Sequence, residues 1–237
     1  MCTNARATHH DEATKQKEEK AREGMVYATL GNDCLSRGDL KGAVDYHQQY
    51  LTITQEIGDR LGEGRACRSL GDRYYSLGDL NKAIEYHKNY LAISKEIGDR
   101  LGEGRASGKL GLAYYSLGDY NKAVEHLQQY LSFTKEKGDK AEESRAYGSL
   151  GSTHLFLGEF EKAIDFYQQG LDIAKDVGNK TGEGIAYSNL GKAYFSLSNF
   201  DKAAEYHQLY LGLTKVAGDK AAEIGRASCR ERVLRLV

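Results

Sequence analysis

The stretch Gly64–Glu103, GRACRSLGDRYYSLGDLNKAIEYHKNYLAISKEIGDRLGE, decides the fold. Gly104–Glu143 repeats it without a gap and keeps more than half of its residues. The same register opens at Gly24, Ser144 and Gly184, so one phrase is written five times at a spacing of 40 residues. A fixed period in this range predicts stacked repeats, each covering the apolar face of its neighbour.

Within a unit, two segments carry helical periodicity, in the second repeat roughly Arg60–Leu77 and Asp79–Ile97. Ala66, Leu70, Tyr74 and Leu77 fall on one helical face. Ala83, Ile84, Tyr86, His87, Tyr90, Leu91 and Ile93 form a broader stripe, as expected of a helix touched from both sides. Turn signals separate the segments: Ser-Leu-Gly-Asp at Ser76–Asp79 and Ser116–Asp119, and Gly-Asp at Gly58-Asp59, Gly98-Asp99, Gly138-Asp139 and Gly218-Asp219, with Gly178-Asn179 as a variant. The glycine can end one helix at positive φ, and the Asp or Asn can cap the next. With no proline in the chain, every helix stop depends on this pair. The expected architecture is all-α, a right-handed α-solenoid of stacked antiparallel helix pairs.

Two columns of small residues bear on packing. Gly31, Gly71, Gly111, Gly151 and Gly191 sit mid-helix, where glycine costs up to about 1 kcal/mol relative to alanine, which suggests a backbone drawn close to its neighbour. Ala43, Ala83, Ala123, Ala163 and Ala203 are read as the matching column on the second helix.

The pattern Leu70-Gly71…Tyr74, Gly78-Asp79, Ala83-Ile84-Glu85-Tyr86 resembles the tetratricopeptide repeat over about 200 of the 237 residues. The usual form of that family has proline near the end of the repeat and often tryptophan in the first helix; this chain has neither. Its 40-residue period and GEGRA…LG…GD phrasing are similar to G-protein-signalling modulators of the Pins type and to long invertebrate tetratricopeptide arrays.

The register gives a polar segment 1–23, read as a degenerate half-repeat helical in its later part, and five repeats at 24–63, 64–103, 104–143, 144–183 and 184–222. Repeat four drifts: Gly170 replaces the tyrosine of Tyr50, Tyr90 and Tyr130, which predicts a gap or a softer contact. Repeat five has Ser198-Asn199 where the others have glycine followed by an acid, a strained substitution if the position is left-handed. From Glu223 to Val233 the chain reads EIGRASCRERV and loses the Leu-Gly signature. That stretch resembles the conceptual translation of a sequencing-library adapter, so 223–237 is read as a non-native tail and the natural chain as continuing past Ala222. The last true helix would then be uncapped, exposing Tyr210, Leu211 and Leu213 and inviting self-association.

The formal charge is −1 with acids and bases interspersed, which argues against nucleic acid as the main ligand. No run of 18 apolar residues occurs, so no membrane span is expected, and the N-terminus lacks an apolar signal core. Cys2, Cys34, Cys67 and Cys229 form no C-x-x-C pair and read as free thiols, with cytoplasm as the default location. His9-His10-Asp11-Glu12 is a weak metal candidate against a solvated tail. His47, His87 and His207 recur at one register position, too far apart to share a metal, and read as packed core histidines. No nucleophile–base pair recurs and no phosphate-binding loop is present, so no catalytic residue, metal or cofactor is expected.

The tetratricopeptide resemblance implies a concave surface of first helices that binds extended peptides through the second, fifth, ninth, twelfth and thirteenth positions of each repeat. Carried onto this chain, the second position gives Arg65, Arg105 and Arg145, the ninth includes Asn32, Asp72 and Lys192, and the twelfth includes Tyr75, Tyr115 and Phe195. Arginines repeated at about 10 Å, one helix spacing, would grip spaced carboxylates. The competing reading pairs them with Glu63, Glu103 and Glu143 of their own repeats. Asparagine holds the ninth position at Asn32 alone, which weakens a carboxylate clamp of the chaperone-tail kind. Three functions fit: a scaffold that binds an acidic peptide, the N-terminal part of a G-protein-signalling modulator, or the sensor or oligomerisation array of a larger multidomain protein.

Overall fold

A computed structural model describes residues 2–216, and these form ten α-helices in stacked antiparallel pairs, an all-α solenoid. They are α1 (Cys2–Ser36), α2 (Leu40–Ile57), α3 (Arg60–Ser76), α4 (Leu80–Glu96), α5 (Arg100–Leu117), α6 (Tyr120–Lys137), α7 (Lys140–Phe156), α8 (Phe160–Asp176), α9 (Lys180–Ser196) and α10 (Phe200–Val216). The chain divides into two compact units between His126 and Leu127, within α6. The stretch Glu223–Val233 and Cys229 lie outside the described residues, as do the side chains of Cys2, His9 and His10.

The turns follow the glycine–acid rule. Gly78 takes φ 82° and the next residue, Asp79, accepts a hydrogen bond from the Lys82 amide at 3.1 Å. Asp39, Asp59 and Asp99 each accept from the amide three residues on at 2.9 Å, and Asn179 does so at 3.0 Å. Each satisfies one amide that the first turn of a helix leaves unpaired. Glu159 departs from the rule, because its side chain makes no cap bond. The longer side chain turns instead to Nδ1 of His154 at 2.5 Å and Nζ of Lys162 at 3.0 Å.

Ser198 is the one non-glycine residue at positive φ among the described residues, at 59°. A Cβ in that conformation crowds the following carbonyl, costing roughly 1–2 kcal/mol. Ser198→Gly is therefore expected to stabilise the α9–α10 pair by about 1 kcal/mol, read as a higher urea midpoint at an unchanged m-value.

Rather than starting partway along the polar N-terminal segment, α1 runs as a single helix from Cys2, and the boundary between 23 and 24 in the repeat register falls inside it. Lys20 ties this early part to α2 through Glu56 at 2.7 Å.

In the first unit the core gathers Tyr50, Leu51, Ala66, Cys67, Leu70, Tyr90 and Ile93, with a second cluster around Ile84, Leu110, Ala113 and Tyr114. Cys67 is a buried free thiol whose pKa burial pushes up to about 12, so it is inert. In the second unit Ala163, Tyr167, Leu171, Tyr187 and Leu190 form the centre. Tyr210 and Leu213 pack against this cluster as half-buried residues, and Leu211 is also half-buried, which corrects the expectation that they stand exposed. The exposed large apolar residues among those described on α10 are Phe200 and Leu209. The hairpin partner α9 supplies cover to one side of that stripe, and hydropathy does not distinguish the sides.

The close approach at the mid-helix glycines is present, but its partner is a ring rather than the alanine column. A Cβ on Gly71 would lie 2.5 Å from Cε1 of His87, and one on Gly31 would lie 2.9 Å from the His47 ring. In the second unit Gly151 faces Tyr167 and Gly191 faces His207. The rings lie flat on helix backbone that carries no side chain. Ala43, Ala83, Ala123 and Ala163 are fully buried, but they are not what the glycines make room for.

Gly170 leaves no gap. Gly24 faces Tyr50, Gly64 faces Tyr90 and Gly184 faces Tyr210, a small residue opening the repeat and a large one on its second helix. Repeat four exchanges the sizes: Ser144 opens it, and its Oγ donates to the Gly170 carbonyl at 2.8 Å. A Cβ on Gly170 would meet the Ser144 carbonyl at 3.2 Å and Tyr147 Cβ at 3.4 Å, so backbone fills the space of the ring. Gly170→Tyr is expected to destabilise by about 3 kcal/mol through overpacking. Adding Ser144→Gly should recover at least about 1 kcal/mol, a coupling that a double-mutant cycle measures directly. Strictly additive effects would refute the exchange.

Candidate functional site

Arg65, Asp72 and Tyr75 lie on α3, and at 100° per residue they fall within an arc of about 80°. Arg65 and Tyr75 are exposed and Asp72 is half-buried. Equivalent residues on α5 are Arg105, exposed, and Tyr115, half-buried. Asn32 is exposed on α1. In the second unit Arg145 on α7 and Lys192 and Phe195 on α9 are exposed.

The carboxylates expected to compete for the arginines are already taken. Glu63 is held by Arg60, Glu103 by Arg100 at 3.2 Å, Glu143 by Lys140 at 2.8 Å and Glu183 by Lys180 at 2.6 Å. The cation three residues earlier reaches each of them, a helical i, i+3 pairing. Glu143 and Glu183 are buried, so these contacts belong to the helix starts. Arg60 also bridges to Glu96 at the end of α4, and its charged form is favoured by hydrogen bonds to Glu96 and Glu63.

Arg65 and Arg105 make no ion pair among the described residues. They lie near Tyr50 and Tyr90, whose pKa values burial raises and these cations partly oppose. Arg145 differs, pairing with Glu142 at 2.7 Å. The sequence signal for that difference is Glu142 itself, because Gly62, Gly102 and Gly182 hold the same register position elsewhere.

Within the first unit, bonds across adjacent first helices tie the face together. Asp72 is bound to Lys109 of α5 at 2.8 Å, and the Tyr75 hydroxyl shares a hydrogen bond of 2.8 Å with Ser116 Oγ. Asp72 is thus a structural bridge as well as a surface group. Sequence reasoning missed both bonds, since they join positions of unlike register in successive repeats. Tyr115 meets Tyr120 edge-on at 5.9 Å, and Phe195 meets Phe200 likewise at 5.4 Å, so each aromatic is partly spent on its neighbour.

His47 and His87 are packed residues rather than ligands. Burial lowers both pKa values to about 4, helped at His47 by the Arg73 cation and opposed at His87 by Asp72. Among the described residues no three of His, Cys, Asp and Glu come together as a metal site.

Antiparallel helix pairs repeated along the chain, with a polar first-helix face and no catalytic grouping among the described residues, define a repeat solenoid of the interaction-module class. The chain belongs to the tetratricopeptide repeat family, whose profile matches residues 22–96, 68–136 and 142–215. Such domains are in general protein–protein interaction modules and usually non-catalytic. No curated protein matches the sequence.

Several solved structures share the fold. BtubC (BKLC) from P. vanneervenii is 18% identical with a TM-score of 0.75, over 88% of this chain and 90% of that one. The apo form of RapI is 17% identical with a TM-score of 0.77, over 84% of this chain and 72% of that one. A tetratricopeptide-sensor STAND protein, a signal transduction ATPase with numerous domains from Pyrococcus horikoshii, is 20% identical with a TM-score of 0.78. There the match spans 91% of this chain but 34% of the other. Among the described residues no helix is long and apolar enough to cross a membrane.

Proposed function

We propose that this chain is an interaction scaffold that captures an extended, acidic peptide on the exposed face of its first helices. In the first unit Arg65 and Arg105 grip carboxylates, Asn32 contributes a polar group, Asp72 holds Lys109 in place, and Tyr75 and Tyr115 supply apolar area; in the second unit Arg145, Lys192 and Phe195 take the equivalent roles. The observation that carries this reading is the state of Arg65 and Arg105, exposed and without an ion pair among the described residues while the nearby glutamates are engaged by other cations. A guanidinium in that state retains its full fork of donors for an incoming carboxylate.

The test is charge reversal at all three arginines. Arg65→Glu/Arg105→Glu/Arg145→Glu is expected to weaken binding of a glutamate-rich peptide by roughly 100-fold or more, since each charge-assisted hydrogen bond is worth about 1.5–3 kcal/mol. Helix content and melting should stay as in the parent, since none of the three is buried. Unchanged affinity would reject the arginine face.

A second reading is favoured by the STAND likeness, in which a similar array is one part of a much longer chain. Here the array would serve as the sensor or oligomerisation part of a multidomain protein. A role in a G-protein-signalling complex rests on the sequence resemblance to Pins-type arrays. Sequencing the transcript from its 3′ end separates the three: short Gα-binding motifs, a folded catalytic domain, or neither.

A further inference from the structure

One face of α1 departs from its own register. Ala66, Ala106 and Ala146 are fully buried and Ala186 nearly so, and Leu70, Leu110, Leu150 and Leu190, one turn on, are fully buried. The second helix of the preceding repeat supplies cover, α2 on α3, α4 on α5 and α8 on α9. Val26 and Leu30 hold these positions in the first repeat, where they are 56% and 36% exposed, with Met25 beside them at 57%. They lie on the side of α1 opposite Gly24 and Gly31, the glycines that face α2.

This face is not a copy of the interior ones. Valine stands in a column of alanines, and Asp33 stands where Ala113, Thr153 and Ala193 are fully buried. A second helix stacked as in the interior would meet the extra bulk and bury the carboxylate without a partner.

Arg22, Val26, Thr29 and Asp33 follow one another at steps of four, three and four residues, the seam spacing of a two-helix coiled coil. All four are exposed. The Thr29 hydroxyl donates to the Met25 carbonyl at 2.9 Å, so its polar group is satisfied within the helix. Arg22 and Asp33 make no ion pair among the described residues, and at about 16.5 Å along the axis they do not reach each other. An antiparallel copy of the stripe sets Arg22 against Asp33 at both ends and Val26 against Thr29 between them. Glu18, Glu19 and Glu23 then fall level with Arg37, Ser36 and Asn32, so no like charges are opposed. A parallel copy in register would set Arg22 against Arg22 and Asp33 against Asp33, which repels.

We infer that this face binds the same face of a second copy of the chain, α1 against α1 in antiparallel, across a two-fold axis between Val26 and Thr29. The contact is isologous, so each copy supplies both halves of every pair. Met25, Val26, Thr29 and Leu30 supply the apolar area. The two Arg22–Asp33 pairs fix orientation and register, the part that polar residues play in such seams. Arg65 and Arg105 lie on other helices, so the contact stands independently of the acidic-peptide reading.

The experiment is sedimentation velocity of the full chain across micromolar concentrations. The parent is expected to dimerise reversibly in that range. Arg22→Asp and Asp33→Arg, each alone, should weaken the dimer by at least about tenfold, because like charges then meet at both ends. Mixing the two single variants sets acid against base at both ends again, so a dimer of one with the other should form. The double variant Arg22→Asp/Asp33→Arg should dimerise like the parent. Circular dichroism should be the same for all of them, since both residues are exposed. A chain that stays monomeric throughout would overturn the inference, as would a dimer indifferent to Arg22→Asp. Loss in each single variant without recovery in the double variant would overturn the antiparallel register. A dimer lost in Leu209→Glu but kept in Arg22→Asp would lie at α10 and overturn the α1 contact.

Discussion

Gly71→Leu is expected to lower stability by about 3 kcal/mol. A Cβ at that site would stand 2.5 Å from Cε1, 2.6 Å from Nδ1 and 2.8 Å from Nε2 of His87. The imidazole is 1% exposed and lies between α3 and its hairpin partner, so it has nowhere to swing. A leucine must either force the helices apart or drive the ring off its rotamer, and overpacking of this kind costs typically about 1–3 kcal/mol or more. The gain in helix propensity from removing a mid-helix glycine returns about 0.8 kcal/mol. Gly148→Ala is the matched control: it is mid-helix in α7 with nothing within 4 Å of the added Cβ, so the propensity gain should appear alone. Urea unfolding of the two variants should therefore move the midpoint in opposite directions. If Gly71→Leu proves as stable as the parent, the ring does not hold that space.

The second large effect is a fall in stability between about pH 6.5 and pH 4. Burial lowers the pKa of His47 and of His87 to about 4, from an ordinary value of 6.5. The unfolded chain therefore takes up a proton at each of these residues while the folded chain refuses it. The stabilisation is fully present above pH 6.5, falls away as pH drops towards 4, and changes no further below that from this source. Both ring nitrogens of His47 and Nδ1 of His87 are buried without a hydrogen bond, so the charged form gains no partner there. The charges facing them are Arg73 at His47, which opposes protonation, and Asp72 and Lys109 at His87, which act in opposite senses. Each histidine is expected to contribute about 3 kcal/mol to the pH dependence. Leu127 holds the same register position in another repeat, so leucine is the natural replacement. His47→Leu/His87→Leu should flatten the stability profile between pH 6.5 and 4. The acid sensitivity due to Glu96, Asp119 and Asp139, whose folded pKa values are lowered by their hydrogen bonds, would remain. An unaltered slope in that window would assign the titration to other groups.

The histidines also show where the sequence stopped being legible. Their recurrence at one position marked His47, His87 and His207 as packed residues, and the recurrence of Gly31, Gly71 and Gly191 marked a close approach. That each ring lies on one of these glycines is a pairing of two columns on different helices, and helical periodicity within one segment carries no information about it. The exchange at Ser144 and Gly170 was hidden in the same way, since each residue read alone looks like drift. Read together in space, they are one change of size made on both sides of a packed pair.

The face of the first helices divides along the same line. The repeat register placed Arg65 and Arg105 at equivalent positions, but the local charge pattern could not decide whether Glu63 and Glu103 neutralised them. The local helical geometry decided it, because Arg60 and Arg100 begin the same helices and reach those glutamates from the preceding turn. It also gave Arg145 a partner in Glu142, whereas the tertiary structure spent Asp72 on Lys109.

By itself the sequence determined the helices, their caps and the stacked architecture, because those depend on interactions within about four residues and on a period written five times. Among the described residues a glycine and an acid or Asn such as Gly78 and Asp79 end one helix and begin the next, and Ser198 takes the left-handed conformation its register position demands. Only the tertiary structure decided which ring fills which helix surface and that Asp72 is taken by Lys109 of the next first helix. Those outcomes depend on distances between helices, and the burial of these rings and the Asp72–Lys109 pair are settled there rather than along the sequence.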